Sequence, residues 1–344
     1  MAFFEMSLTF LDFFAGIGGY RRGMELAGHN CVGFCEWDKF AVMSYTSMHL
    51  ITKEQERYLL QLSKSERQKE ILKEKYRNGE WYANDIRTVS ARELPRADIW
   101  CFGFPCQDIS VAGKRIGFAG KRSSLFFTVT GLIRDLKEEE KPSILFIENV
   151  KNLLSVNRGF DFAKLLVELD EIGYDAEWQV LNTKDFGIPQ SRERVFIIGF
   201  LRGRSRRKVL PITGTNRKDN LSSKIRDFRK GFLIREASKE GYAIAEVGDS
   251  IKLDYPNSTT MRGRVGKGRI HTLTTSCNQA VVCAKDNVPR IRRLTPRECF
   301  RLQGWRDCYF DKAAMVNSDN QLYKQAGNGV TVKVIQKIAT QFHN

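Results

Sequence analysis

Histidine and cysteine are scarce in this chain, and long apolar runs are missing. Four histidines in 344 residues leave little for metal chemistry. Eight cysteines, at Cys31, Cys35, Cys101, Cys106, Cys277, Cys283, Cys299 and Cys308, are too sparse for a disulfide scaffold in a chain this long. The pair in CVGFC has no second close pair and no neighbouring histidine, which argues against zinc. Reduced thiols and a cytoplasmic location are therefore the expectation. No stretch reaches the roughly 20 apolar residues that a bilayer span needs, so no membrane role is expected. The opening MAFFEMSLTFLDFF lacks a basic n-region and carries Glu5 and Asp12, so it does not read as a signal peptide. Acidic residues are in deficit: 56 Lys plus Arg face 40 Asp plus Glu, a formal charge of +16. A field of that sign concentrates polyanions. Nucleic acid is the obvious partner, although bulk charge alone does not separate it from an anionic membrane surface.

The first two hundred residues alternate strand and helix signals. Apolar runs at 8–14, 31–35, 99–104 and 144–147 have strand length and little alternation, as parallel strands covered on both faces do. Helical stretches at 125–139 and 160–172 separate them. A later pair, 177–181 and 194–200, would extend the sheet at one edge. This is a doubly wound, Rossmann-like α/β pattern with a mostly parallel sheet. Residues 51–80 carry eight Lys or Arg and six Glu and read as an exposed helical insertion. Leu59, Leu62 and Leu72 are its docking residues, and a partner or DNA contact is the competing reading. Residues 202–235 hold twelve Lys or Arg against two Asp. Residues 241–284 are rich in Gly, Thr and Ser, with β-like pieces at 271–274 and 280–283. The expected division is therefore 1–201, a small irregular basic domain at 202–290, and 291–344. In the last part, helical patterns at 296–302 and 330–338 return to the first domain.

A strand, a glycine turn and a helix follow one another in LTFLDFFAGIGGYRRGMELAG. Gly16 and Gly18 let the backbone approach a ligand at a helix N-terminus. Asp12 closes the strand and Glu36 closes the next one, where a carboxylate can accept from ribose hydroxyls. The spacing is not the dinucleotide fingerprint GxGxxG. Asp12 would repel a pyrophosphate, yet it suits an ammonium such as that of a methionine moiety. A tight turn in some other Rossmann-like protein is the bland alternative. Asp85 is either an acceptor for an adenine amino group or an ordinary helix cap.

Cys106 follows the strand in ADIWCFGFPCQDIS, where open-sheet ligands bind, with Pro105 restraining the backbone before it. It is either a nucleophile, once deprotonated, or an inert thiol. The strand PSILFIENV ends in Glu148. Gln190, Arg192 and Arg194 alternate in QSRERV and would share one strand face. A thiolate, a carboxyl and guanidinium groups at three strand ends suit attack on an electron-poor ring. The glycine-rich run that follows Cys106 carries Lys114, Arg115, Lys121 and Arg122, a composition that reads either as a loop closing over a ligand or as plain surface.

The segments DFFAGIGG, FCEWD, NDI, GFPCQDIS, ENV, QSRERV, RRLTPRECFRLQGW and QAGNGVTVKV, in this order, closely resemble the cytosine-5 DNA methyltransferase family. The resemblance runs from Leu8 to about Ile338. It implies an S-adenosylmethionine-dependent methyltransferase fold acting on double-stranded DNA, with base flipping. Cys106 is similar to the family's nucleophile, Glu148 to its ring-protonating glutamate, and Arg192 and Arg194 to its supporting arginines. The likeness assigns cofactor contacts to Phe14, Gly16, Gly18, Glu36, Trp37, Asp85 and Pro105, and places Asn328 nearby. The 202–290 segment resembles a target-recognition domain, with Arg262, Arg264 and Arg269 as base or phosphate contacts and Thr272 in a Thr-Leu element. Gln107, Ser110, Lys114, Arg115, Arg122 and Gln190 complete the expected DNA contacts. Ser124 and the GNG at 327–329 depart from the family's usual Gly and GNS. A monomer is expected, with a companion restriction endonuclease as a candidate partner. An RNA cytosine-5 methyltransferase and a silent DNA-binding relative are the rival readings.

Overall fold

The computed structural model describes residues 7–105, 125–204, 208–214, 231–255, 257–285 and 288–342. Its frame is a seven-stranded sheet in the order β3-β2-β1-β4-β5-β7-β6. The strands are β1 (Thr9–Phe13), β2 (Asn30–Cys35), β3 (Trp81–Ala83), β4 (Ile99–Phe102), β5 (Ile144–Val150), β6 (Tyr174–Asn182) and β7 (Glu193–Leu201). Every residue of β4 is buried, as are the first six of β5, because helices cover both sheet faces. Helices α5 (Leu125–Asp135) and α6 (Phe160–Glu171) lie on one side, sharing a core with Leu11, Phe13, Trp100 and Ile147. On the other side, α1 (Gly19–Leu26) packs with α10 (Val332–Ala339), sharing a core with Phe10, Cys101 and Phe146.

The expectation of a mostly parallel sheet needs correction, because the sheet is mixed. Strands β3, β2, β1, β4 and β5 pair in parallel, but β7 runs antiparallel to both β5 and β6. The link between β6 and β7 holds only a short 3₁₀ turn at Thr183–Phe186. It lacks the dozen or so residues of a parallel crossover, so β7 turns back and inserts between β5 and β6. Trp81–Ala83 was not anticipated as a strand, since three residues carry no readable period.

The charged insertion folds as two short helices, α3 (Lys53–Gln61) and α4 (Lys64–Glu70). Thr52 with Gln55, and Ser63 with Glu66, close reciprocal capping boxes at their starts. Leu59, Ile71 and Tyr76 are buried against Met43, Met315 and Val316, with Leu62 and Leu72 partly buried beside them.

After β7 come a hairpin of β8 (Phe232–Arg235) and β9 (Tyr242–Ala245), and a four-stranded sheet in the order β11-β10-β12-β13. Its strands are β10 (Ser250–Lys252), β11 (Val265–Gly266), β12 (Gln279–Lys285) and β13 (Val288–Arg293). Residues 271–274, expected as a β piece, form no strand. This part is not sharply separated from the rest, since Ile270, Leu273 and Cys277 share a core with Phe300, Trp305 and Leu322. Those residues belong to the segment of α7 (Pro296–Arg301), α8 (Asp307–Val316) and α9 (Asp319–Asn328). Thr295 and Glu298 form the capping box of α7, and Pro296 occupies its first turn.

Candidate active site

Four neighbouring strand ends, those of β3, β2, β1 and β4, carry the residues expected at a cofactor. The turn after β1 is built on positive φ at Phe14 (55°), Gly16 (56°) and Gly18 (81°). Such a conformation is costly for an aromatic residue and persists where surrounding structure enforces it. Phe14 is half-buried, with its side chain against the α5-side core. Glu36 anchors the turn: Gly16 N donates to its Oε2 and Asp38 N to its Oε1, each at 2.7 Å. Burial raises its carboxyl pKa, against those two donors. Trp37 is 61% exposed and lies under the Arg87 guanidinium at 4.6 Å from the ring centre. Arg87 in turn pairs with Asp85 at 2.6 Å, which lowers the Asp85 pKa. Asp85 also accepts from Arg87 N at 3.0 Å, so it caps a 3₁₀ turn as well as facing the indole's neighbour. Pro105 is half-buried beyond β4.

Asp12 lies within β1, ahead of the glycine turn. Its carboxyl is fully buried beneath the turn, where Oδ2 accepts from Arg21 N at 3.3 Å and Oδ1 has no hydrogen-bond partner. Burial raises its pKa well above the usual range. It is turned toward the start of α1.

Glu148 sits at the carboxyl end of β5, 8% exposed, with Oε1 held at 3.0 Å by Arg194 Nε. A side chain at Gly103 would crowd its Oε2 at 3.2 Å. Beside it, buried Asn149 donates from Nδ2 to the Phe104 carbonyl at 3.1 Å. The end of β5 is thereby tied to the backbone two residues before Cys106. Cys106 itself lies outside the described residues, as do Gln107, Ser110, Lys114, Arg115 and Arg122.

Gln190, Arg192 and Arg194 do not share a strand face. β7 begins only at Glu193, and the preceding bend sends the three side chains to different partners. Gln190 is fully buried: its amide donates to Leu302 O at 2.7 Å and its Oε1 accepts from Leu273 N at 3.0 Å. Those bonds tie the bend to the segment after α7 and to Leu273. Arg192, 3% exposed, donates to the carbonyls of Gly329 (2.9 Å) and Gly327 (3.3 Å). It holds the turn on which exposed Asn328 stands. Gln303, which the sequence did not single out, joins the same network. Its Nε2 donates to Ala326 O at 2.7 Å and its Oε1 accepts from Thr331 at 2.9 Å. A glutamine inside the apolar FRLQGW segment was the available signal.

Thr272 donates from Oγ1 to Ser191 O at 2.8 Å, fastening residues 272–273 to the 190–192 bend. Arg262 and Arg269 are exposed. Arg264 is not: it is 4% exposed, and its guanidinium donates to the carbonyls of Asp254 (2.8 Å) and Tyr255 (2.5 Å). In this structure the guanidinium braces a loop of the small domain. Among the described residues no helix is long and apolar enough to cross a membrane.

The sequence profile described as "C-5 cytosine-specific DNA methylase" matches residues 8–71 and 58–344. Among curated relatives, the Type II methyltransferase M.HhaI of Haemophilus parahaemolyticus is 33% identical, over 96% of this chain and 93% of its own length. M.Bsp6I of Bacillus sp. (strain RFL6), also a Type II methyltransferase, is 33% identical over 98% of both chains. Among solved structures, the S. pombe Dnmt2 methyltransferase superposes with a TM-score of 0.61 at 17% identity, covering 97% of each chain. The Entamoeba histolytica methyltransferase EhMeth gives 0.60 at 16%, covering 98% of each. With a mixed α/β sheet of this topology and motifs matched along nearly its whole length, the chain belongs to the C-5 cytosine-specific DNA methyltransferase family.

Proposed function

We propose that the protein methylates carbon 5 of a specific cytosine in double-stranded DNA through a transient bond between Cys106 and carbon 6 of a flipped base. The observation that carries this reading is the Glu148–Arg194 pair at 3.0 Å, beside an asparagine tied to the Phe104 carbonyl. Those contacts set an oriented carboxyl next to the backbone that leads into Cys106. The Cys106 sulfur adds to C6 while Glu148 delivers a proton to ring N3, so the C5–C4 region takes on enamine character. Arg194 fixes the carboxyl's orientation. Arg192 holds the Gly327–Gly329 turn and with it Asn328. After transfer, the C5 proton passes to solvent water, the Sγ–C6 bond breaks with its electron pair returning to the Cys106 thiolate, N3 returns its proton to the Glu148 carboxylate, and aromaticity returns. A base within a duplex must leave the stack for this chemistry.

S-adenosylmethionine, when bound, supplies an electrophilic methyl group on a sulfonium centre. The residues fit such a group: an exposed indole, a half-buried phenyl ring and a glycine turn with positive φ lie at adjacent strand ends. Phe14 and Trp37 would flank the adenine and Asp85 would meet its amino group. Glu36 would meet the ribose with the lone pairs its backbone bonds leave open. Gly16, Gly18, Pro105 and Asn328 would line the rest. Residues 202–290 serve as the target-recognition domain, where Arg262 and Arg269 reach DNA and Thr272 orients the domain on the 190–192 bend. Lys114, Arg115, Arg122, Gln107 and Ser110 contribute contacts from the segment after Cys106. A companion endonuclease, a monomeric state and a cytoplasmic location complete the reading.

The test is incubation of the chain with labelled S-adenosylmethionine and cytosine-containing duplexes, followed by bisulfite sequencing. A duplex carrying 5-fluorocytosine at the methylated site should become cross-linked to the wild-type chain and not to Cys106→Ser. Methylation by Cys106→Ser at the wild-type rate would overturn the nucleophile. Equal methylation of single-stranded RNA would move the substrate to RNA.

A further inference from the structure

The turn that the proposed function gives to the cofactor is gripped from behind by a residue with no assigned role. The carbonyl of Ile17 accepts from His49 Nε2 at 3.0 Å, a bond in which the ring must be the Nε2–H tautomer because a carbonyl only accepts. His49 reaches that position through a single π-helical turn, Thr46–Leu50, which continues α2 (Lys39–Tyr45). Such turns are wider than an α-turn, are rare, and recur at functional sites. Gly18 makes room for the ring: a Cβ there would stand 2.5 Å from His49 Nε2 and 3.0 Å from the Tyr45 ring. The imidazole is walled by Tyr45, Tyr309 and Trp305, with ring centres at 5.0, 5.6 and 5.8 Å. One side chain therefore links the turn after β1 to the α7–α8 connection.

We infer that His49 is a positioning residue for the cofactor turn, pinning the Ile17 carbonyl so that Phe14, Gly16 and Gly18 already hold their left-handed conformations before the ligand arrives. This rests on the cofactor reading proposed above. Its energetic content is preorganisation, since a turn ordered in advance costs the ligand less to bind. Loss of the bond should therefore appear in affinity and leave the chemical step alone. Glutamine, whose Nε2 can take the place of the imidazole Nε2, should restore it.

The experiment is calorimetric titration of the full chain with S-adenosylhomocysteine, alongside methyl-transfer kinetics at saturating S-adenosylmethionine. His49→Ala should raise Kd by about 10-fold, the scale of one net hydrogen bond, with kcat within about twofold of wild type. His49→Gln should recover most of the affinity, and His49→Asn, too short to reach Ile17, should not. Should His49→Ala fail to fold, the Gln and Asn variants carry the same comparison. Equal Kd in wild type, Ala and Asn variants, or a fall in kcat without a change in Kd, would overturn the role of His49 alone. A wild-type chain that does not bind S-adenosylhomocysteine would overturn the cofactor reading and this inference with it.

Discussion

Individual side chains divide here into those that face the chemistry and those that hold the frame, and the two kinds alternate within one short segment. Arg194 pairs with Glu148 while Arg192, two residues earlier, holds glycine carbonyls 135 and 137 positions away. Arg194→Ala should lower kcat by about 10²-fold or more, the scale of a lost general-acid alignment, with S-adenosylhomocysteine affinity unchanged; wild-type turnover in that variant would remove Arg194 from the site. His49 makes a pH prediction. Burial and the facing cations Arg21, Arg22 and Lys312 lower its pKa well below the ordinary value, against its bond to Ile17, within a cage of Tyr45, Tyr309 and Trp305. The folded state then binds fewer protons than the unfolded one. The stabilisation is whole above the unfolded pKa of about 6.5 and is lost as pH falls toward the folded value, by up to about 1.4 kcal/mol per pH unit. Between pH 7.5 and 5.5, wild type should lose more Tm than His49→Gln, and parallel curves would contradict a neutral buried imidazole. The place of Glu148 at the end of its strand was legible in the sequence, because an acidic residue closing an unbroken apolar run marks the strand's edge. The inward turns of Asp12, Gln190 and Arg264 were not, because a polar residue near a site reads alike whether it faces a ligand or a neighbouring carbonyl.

Among the elements, the paired helices α3 and α4 show how little charge composition says about docking. Read by sequence they were an exposed insertion docked through Leu59, Leu62 and Leu72, or a partner surface, yet their polar side chains also cap the carboxyl ends of α3 and α8. Arg67 donates to Leu59 O, Met315 O and Leu62 O at 2.8, 2.8 and 3.0 Å. Gln68 donates to Val316 O at 2.7 Å, and Lys64 to the carbonyls of Ala314 and Asn317. Positive charge is favoured at such an end, where four carbonyls lack helical partners. Arg67→Ala should destabilise the fold by about 1–3 kcal/mol, measurable by urea denaturation, and hasten proteolysis near Leu62. An unchanged midpoint would show the insertion to be loosely held. Strand β3 and helices α8 and α9 also escaped the sequence. One is too short to show a period, and the other two mix buried and exposed positions without a clean apolar stripe. By contrast β4 and β5 were plain, since a strand buried on both faces leaves an unbroken apolar run.

Across the whole molecule, a charge of +16 fits a duplex partner and predicts how binding responds to salt. Neutralising six to ten phosphates should cost about 10³ to 10⁵ in affinity between 50 and 200 mM salt. Fluorescence anisotropy with a cognate duplex reads this directly, and a flat salt profile would be incompatible with a phosphate-gripping surface. The small domain's strands were only partly legible, because short, irregular, glycine-rich segments take their shape from what they pack on. Finally, α1 and α10 meet so closely that a Cβ at Gly23 would stand 2.5 Å from Ile335 Cβ, and one at Gly19 would stand 2.7 Å from Val330. Helix α1 therefore waits, its small-residue groove bare, while the ribosome adds about three hundred further residues before the matching ridge of α10 emerges. The sheet's second face closes only once α10 has joined α1, so a chain cut before Val332 should yield polypeptide for proteases and no weakened enzyme.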